Sequence, residues 1–375
     1  MTAHPRPLAM SSSWEDAPIS PWSRFGDGEW LLDIRTAGRR ADQNRFSWAV
    51  PMPECSRISG HDHSHLIRAA KHFLWSMHFD PPRGRKRSSA TSLQQKAMLL
   101  RPIIGWMAGE GLSRFAEIDP AAVERFCTWL RRRPSRPGHD SIRPATVTNY
   151  LLAIKDLYRQ RSKLADAPLI DPLPLETTYE AAGHTRASKG AIPFIPDRQA
   201  IAILSEALRW IEKHGETIVM AEAIRLEARE RGLATGVFRQ ASYHVRRALR
   251  AARLSDPSGE RLDGAYAARQ AAVHLVEACY IVIAGFVGMR VSEILSMKVG
   301  AIEYRPIGET GVDQAYVVAR LFKTVDDPDG RVERWTAPAP VALAVDLLEH
   351  LSAPLRAASG REELFLVKNT QYGEI

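Results

Sequence analysis

Ala284-Gly-Phe-Val-Gly-Met-Arg-Val-Ser-Glu-Ile-Leu-Ser-Met-Lys298 is the stretch of this chain with the most specific pattern. It follows a mostly apolar segment, Ala271–Ile283, which predicts a buried helix that ends at glycine. A second short helix is predicted over Val291–Met297, with Arg290 at its start. This order of helix, glycine turn, arginine and helix predicts a helical domain that presents one arginine at a corner.

The position of Arg290 suits it to anion binding. Packing of the two helices would hold its stem, and the amides of a helix N-terminus favour a negative charge nearby. The planar guanidinium can bind two phosphate oxygens at once, which lysine cannot do. Glu293 lies near the same face and is expected to hold the arginine or to cap local amides. The alternative is an unrelated helical interaction protein in which Arg290 is a buried ion-pair partner of Glu293.

The segment Gly288-Met-Arg-Val-Ser-Glu-Ile-Leu295 resembles the first signature box of the tyrosine recombinase (phage integrase) family, which presents the first catalytic arginine. Phe322-Lys-Thr324, before the turn Asp326–Gly330, is similar to the family's β-hairpin with its catalytic lysine. The resemblance implies DNA integration or recombination without metal or other cofactor, begun by a tyrosine that attacks a DNA phosphate. Arg290 would stabilise the charge on the non-bridging oxygens, and Lys323 would donate a proton to the leaving oxygen.

The chain departs from the family pattern after the hairpin. The family places a His-x-x-Arg box and the nucleophilic tyrosine there, whereas His65-Leu-Ile-Arg68 and His244-Val-Arg-Arg247 both precede Arg290. Tyr372 is the only tyrosine after the hairpin, and no such box precedes it. We therefore expect a truncated or split recombinase that is inactive alone. The alternative is a non-catalytic DNA-binding accessory or regulatory protein on the same fold.

Positive charge is concentrated in one segment. The net charge is +8, but Arg83 to Lys163 alone holds 17 basic and 6 acidic residues, a local net of +11. This imbalance is expected where one face contacts phosphates, and the alternative is a run of solvated surface arginines. The expected partner is double-stranded DNA, bound by a homo-oligomer. The candidate DNA contacts are Arg83, Arg85, Lys86, Arg87, Arg131, Arg132, Arg133, Arg136 and Arg143.

The same segment predicts a three-helix bundle over residues 91–163. Its first helix has one apolar stripe at helical spacing and is interrupted by Pro102, which should kink it. The second is opened by Asp119-Pro120, an N-cap followed by proline, and the third by Pro144. The stripe residues are Leu93, Ala97, Leu100, Ile104 and Met107. The bundle is similar to the family's SAM-like core-binding domain.

We therefore predict a mainly α fold with four regions. These are an N-terminal region (1–82), a basic core-binding domain (83–165), a proline-rich linker (166–196) and a partial catalytic domain (197–375) with a small β-hairpin. Residues 213–262 within the last region are helical and basic, with no assigned role. The predicted strands are Glu29–Ile34, Ala315–Lys323, Arg331–Trp335 and Leu364–Val367.

Composition excludes several other classes. A chain of 375 residues that is 45% hydrophobic can bury real cores, so collagen-like and disordered chains are excluded. Its three cysteines lie far apart, and His61-Asp-His-Ser-His65 is interpreted as a polar loop before a helix, so no metal site is expected. The longest apolar run, Tyr280–Met289, is about half a membrane span. No signal pattern opens the chain, and a cytoplasmic protein without a membrane partner is expected.

Overall fold

The computed structural model describes residues 14–133, 142–184, 194–234, 236, 238–308, 311–323, 325 and 327–366. In this part of the chain the protein is mainly α-helical with small antiparallel sheets, which confirms the predicted class. The chain separates into two compact units, and the boundary falls between Pro193 and Phe194. The short segment Arg35–Gly38 belongs to the second unit.

Short strands lie near the start of the first unit. They are β1 (Pro18–Ser20), β2 (Ser23–Arg24), β3 (Glu29–Leu31) and β4 (Arg45–Ser47). β1 pairs with β2 and β3 pairs with β4, both antiparallel, with Trp30 opposite Phe46. The strand predicted over Glu29–Ile34 is shorter because β4 offers it three pairing residues. Strands of two or three residues are too short to show an alternating pattern, so the others were not predicted.

Lys71 attaches these strands to the first helix, α1 (Gly60–Phe79). It is 8% exposed, and its ammonium group donates to the carbonyl oxygen of Asp27 at 2.9 Å. Burial lowers the pKa of Lys71, because desolvation penalises the charged form. Three aromatic rings have their centroids within 5.9 Å of the ammonium nitrogen: Phe25, Trp30 and Trp48.

The helices of the first unit agree with the predicted bundle. They continue as α2 (Ala90–Glu110), α3 (Pro120–Arg131), α4 (Pro144–Arg159) and a short α5 (Thr178–Ala181). All five residues of the predicted α2 stripe are buried, and α2 continues past Pro102 to Glu110. Asp119 caps α3 by accepting a hydrogen bond from the Ala122 amide at 2.7 Å. The N-cap of α3 and the apolar stripe of α2 were predictable from the sequence, because both are local patterns.

One hydrophobic core extends from Trp14 to Ala182. Among the described residues, the buried side chains of residues 14–82 belong to the same core as those of residues 83–165. Part of the expected linker 166–196 also packs here, since the buried Asp166 accepts hydrogen bonds from the amides of Phe115 and Ala116 at 3.0 and 2.9 Å. Proline indicates irregular backbone but not exposure, so a proline-rich segment can still pack against a core.

The second unit combines helices with a three-stranded antiparallel sheet. Its elements are α6 (Asp197–Leu233), α7 (Phe238–Ala252), α8 (Ala265–Val287), α9 (Val291–Ile294), β5 (Ile302–Pro306), β6 (Asp313–Leu321), β7 (Arg331–Thr336) and α10 (Ala339–Ser359). The strand order is β5-β6-β7, with Val317 opposite Trp335. The predicted hairpin is thus confirmed as β6 and β7, with Gly330 at a φ of 71° in its turn.

α8 lies against α6 and α10 in the core of the second unit. Within the described ranges it is the one helix that is long and apolar enough to cross a membrane, judged by length and composition. Its residues Leu275, Cys279 and Val282 are fully buried, and burial raises the pKa of the Cys279 thiol to about 12. A share of 33% of its most apolar 18-residue window is buried in this core.

Two boundaries in the second unit differ from the prediction. α9 ends at Ile294 rather than at Met297. In place of a strand over Leu364–Val367, Glu363 forms an isolated antiparallel bridge with Lys298, and Val367 lies outside the described residues. A strand needs a partner of matching length, and the chain at Lys298 turns away after this single bridge.

Arg253 is the one non-glycine residue with a positive φ, 52°, among the residues described. It directly follows α7, where glycine usually provides the left-handed conformation at lower cost. We expect Arg253→Gly to raise the free energy of unfolding by about 1 kcal/mol, measured by urea denaturation. Arg250→Gly, inside the helix, is the matched control and should lower it by about 1 kcal/mol. A destabilised Arg253→Gly variant would contradict the argument.

Candidate functional site

The turn between α8 and α9 presents Arg290. α8 ends at Gly288, which has a φ of 71° and donates its amide to the carbonyl oxygen of Ala284 at 3.0 Å. A side chain at that φ would be strained, so glycine suits the position. Met289 is buried, and Arg290 occupies the N-cap of α9. The turn thus places one side chain in the core and the next outside it, as predicted.

Glu293 holds Arg290 through two hydrogen bonds. The Arg290 amide donates to Oε2 and its Nη1 donates to Oε1, both at 2.7 Å. The Glu293 side chain is 2% exposed, whereas that of Arg290 is 53% exposed. The guanidinium makes no other hydrogen bond to the described residues. One edge of the planar guanidinium is therefore fixed by a buried carboxylate, and the other edge faces solvent and is open to an anion.

Arg290 lines a cleft of about 410 Å³ within the second unit. The opposite wall comes from the hairpin and includes Glu333 and Trp335. Arg334 also borders the cleft, but side chains alternate along a strand. Its guanidinium lies on the other face, where Nε donates to Glu303 Oε2 at 2.8 Å. Arg290 is therefore the guanidinium that the described residues direct into this cleft.

A buried serine joins the turn to the hairpin. Ser296 Oγ donates to the carbonyl oxygen of Glu293 at 2.7 Å and accepts from the Arg320 amide at 2.8 Å. Ser296 thereby links strand β6 to Glu293, the residue that binds Arg290. Sequence reasoning missed Ser296, Glu333 and Trp335, because their roles depend on the hairpin, which is distant from the Arg290 turn in sequence.

Lys323 does not share this cleft in the structure. It is exposed just after the end of β6, and it is not among the residues that line the cleft around Arg290. Its neighbours Thr324 and Asp326 lie outside the described residues. The structure therefore brings together Arg290 and Glu293, and leaves Lys323 on the nearby turn.

The basic candidates of the first unit occupy its loops and helix ends. Arg83, Arg85, Lys86 and Arg87 are exposed between α1 and α2, and Arg143 is exposed at the start of α4. At the end of α3, Arg131 donates to the carbonyl oxygen of Ala181 at 2.9 Å, Arg133 lies 4.5 Å from the Trp129 ring centroid, and Arg132 is exposed. Arg136 lies outside the described residues, as does Tyr372.

These candidates differ from the other basic residues of the same segment. Lys96, Lys155 and Arg159 each pair with an aspartate, so their charges are largely neutralised. By contrast, no ion pair to a described residue is made by seven of the candidates. These are Arg83, Arg85, Arg87, Arg131, Arg132, Arg133 and Arg143. Their charge remains available to an external anion.

No group of three or more metal-ligating side chains occurs among the residues described. The histidines of His61–His65 lie in the first turns of α1, not in a loop, because Ser59 caps that helix. His63 contacts the carbonyl oxygen of Val50 at 3.0 Å, and His65 contacts Asp166 at 3.2 Å. Comparison of the chain with protein-family models, curated proteins and solved structures finds no match.

Proposed function

We propose that this chain binds double-stranded DNA and provides the arginine-presenting part of a tyrosine-recombinase active site, for site-specific recombination or integration. The observation that carries the proposal is the Arg290 turn, with an exposed guanidinium held on one edge by the buried Glu293. The open edge suits two non-bridging oxygens of a phosphodiester. Lys323, on the following turn, is the proposed proton donor to the leaving oxygen.

The two units have proposed roles in this function. The first would act as a SAM-like core-binding domain that contacts DNA through its un-neutralised arginines. The second would be a partial catalytic domain, and the assembly on DNA would be a homo-oligomer. These proposed roles are supported by the exposed positive charge of the first unit and by the geometry of the Arg290 turn in the second. Phosphate contacts by Arg and Lys position a protein on DNA.

The proposed mechanism of strand cleavage also uses a His-x-x-Arg box, and no such box follows Arg290 in this sequence. His350 is the only histidine after Arg290, and its third following residue is Ala353, not arginine. We therefore expect no covalent protein–DNA species with a nicked suicide substrate of duplex DNA. Detection of a phosphotyrosyl adduct would overturn this part of the proposal and would direct attention to Tyr372.

The second candidate function is a non-catalytic DNA-binding accessory protein. It is favoured by the absence of Lys323 from the residues that line the Arg290 cleft. Arg290→Lys separates the two functions, because lysine cannot contact Glu293 and two phosphate oxygens together. Loss of DNA affinity would support the phosphate clamp, and unchanged affinity would support the accessory function.

DNA binding by the first unit should depend steeply on salt. We expect the triple substitution Arg85→Gln, Lys86→Gln and Arg87→Gln to reduce the slope of log K against log salt by about 2 to 3, because each phosphate contact contributes about 0.9. Fluorescence anisotropy with a labelled duplex between about 50 and 200 mM salt measures the slope.

The matched control removes three arginines of the same unit that already pair with carboxylates. Arg45 pairs with Glu29 at 3.2 Å, Arg125 with Glu110 at 3.0 Å and Arg159 with Asp156 at 3.1 Å. The control substitutions are Arg45→Gln, Arg125→Gln and Arg159→Gln. An equal change in slope for both triple variants would show that only total charge matters and would contradict the proposed contact.

A further inference from the structure

α7 carries arginines that the proposed site does not use. Arg246, Arg247 and Arg250 are exposed, and the helix Phe238–Ala252 contains no aspartate or glutamate. None of the three makes an ion pair or a side-chain hydrogen bond with the part of the chain that the structure describes. Their charges are therefore concentrated on one surface without internal compensation.

The preceding helix is different, although it is also rich in arginine. On α6, Arg209 pairs with Glu206 at 2.6 Å, and Arg231 pairs with Glu227 one turn earlier. Such pairs at three- or four-residue spacing are an ordinary feature of a solvated helix face. The absence of this pattern on α7 shows that its arginines are not part of an intrahelical ion-pair network.

The apolar side of α7 is already used for packing. Ala241, Val245 and Leu249 are at most 4% exposed and recur every four residues. Gly232 of α6 lies so close that a Cβ there would be 2.3 Å from the Cα of Ala241. α7 is thus pressed against α6, and residues 240–252, whose side chains the structure describes, have no further apolar face to insert into a lipid surface.

The exposed side of α7 combines cations with an aromatic ring. Tyr243 is 62% exposed and precedes Arg246 and Arg247 by three and four residues, so the three share one region of the helix surface. Arg246 to Arg250 spans about 6 Å along the helix axis. Duplex DNA carries one negative charge per about 1.7 Å of its axis, so several phosphates fall within reach of this length.

We propose that this face of α7, formed by Tyr243, Arg246, Arg247 and Arg250, binds the phosphate backbone of duplex DNA as a second contact surface. This surface is separate in sequence from the basic segment of the first unit. The inference rests on the proposed function, because both surfaces would bind the same ligand, duplex DNA. The guanidinium groups supply charge-assisted hydrogen bonds to phosphate oxygens, and the tyrosine ring packs beside them. Backbone contact of this kind adds affinity without sequence preference.

The test compares two triple variants of the full chain with the same change in charge. One carries Arg246→Gln, Arg247→Gln and Arg250→Gln. The control carries Arg209→Gln, Arg231→Gln and Arg361→Gln, whose arginines each pair with a glutamate. For the α7 variant, we expect the slope of log K against log salt to fall by about 2 to 3. We also expect its affinity near 50 mM salt to fall at least about tenfold, whereas the control should change little in both quantities.

A third variant replaces the same residues by lysine: Arg246→Lys, Arg247→Lys and Arg250→Lys. It should keep most of the slope of log K against log salt, because contact with the DNA backbone requires positive charge rather than a planar guanidinium. Circular dichroism and thermal unfolding show whether each variant is folded. An unchanged slope for the glutamine variant, or equal losses in the control, would overturn the inference.

Three further outcomes separate this inference from the proposed function and from a membrane-binding role. If the wild-type chain fails to bind DNA at low salt, the proposed function fails with it. If the Arg85, Lys86 and Arg87 substitutions reduce the slope but the α7 substitutions do not, only the α7 surface is rejected. Loss of binding to anionic vesicles in the α7 glutamine variant, with DNA binding intact, would assign the surface to a membrane instead.

Discussion

Replacing Arg290 by alanine is expected to lower the free energy of unfolding by about 3 kcal/mol, because it leaves a carboxylate buried without its cation. Glu293 is 2% exposed, and after the substitution the backbone amide of residue 290 would be its remaining donor from this turn. Removing one partner of a buried pair costs more than the pair contributes, since the other charge stays desolvated. Urea unfolding followed by tryptophan fluorescence measures the change, and Trp335 lies in the same cleft.

Addition of Glu293→Gln to the Arg290→Ala variant provides the control. A neutral amide costs less to leave partly unpaired than a carboxylate, so the double variant should recover part of the lost stability. If Arg290→Ala unfolds at the wild-type urea concentration, the buried carboxylate does not depend on this arginine. In that case the contact of Glu293 with Arg290 would be a minor one, and Glu293 would not fix Arg290 as a phosphate clamp.

Gly232→Ala should destabilise the second unit by about 2 kcal/mol through a clash between α6 and α7. A Cβ at this position would lie 2.3 Å from the Cα and 2.8 Å from the amide nitrogen of Ala241. These are backbone atoms, so the contact is relieved only if the two helices separate. That separation would loosen the packing of Val245 and Leu249 and would outweigh the helix propensity gained by alanine, about 1 kcal/mol.

Gly285→Ala is the matched control for this prediction. Its Cβ would meet Leu204 Cδ2 at 2.5 Å, but that atom is the end of a flexible side chain and can move aside. We expect Gly285→Ala to be neutral or slightly stabilising in thermal unfolding. If both variants lose the same stability, the close approach of α6 and α7 is not what distinguishes Gly232.

Much of the candidate site was predictable because its signals are local. Glycine before an arginine, with a glutamate three residues later, indicates a helix end, a helix start and a side-chain contact within four residues. The hairpin was predictable for the same reason, since its turn contains proline and glycine between two β-rich segments. The wall of the cleft was not, because Glu333 and Trp335 reach it only through the pairing of β6 with β7.

Sequence alone determined the helical class, the stripes that face the cores, the Arg290 turn and the local excess of positive charge, because each depends on residues within one or two helical turns. Tertiary structure decided which charges remain un-neutralised and which segments share a core. Lys71 bonds to a carbonyl 44 residues away, and Asp166 to amides 50 and 51 residues away. Such contacts form only when packing brings distant segments together, and a period of two or 3.6 residues carries no information about them.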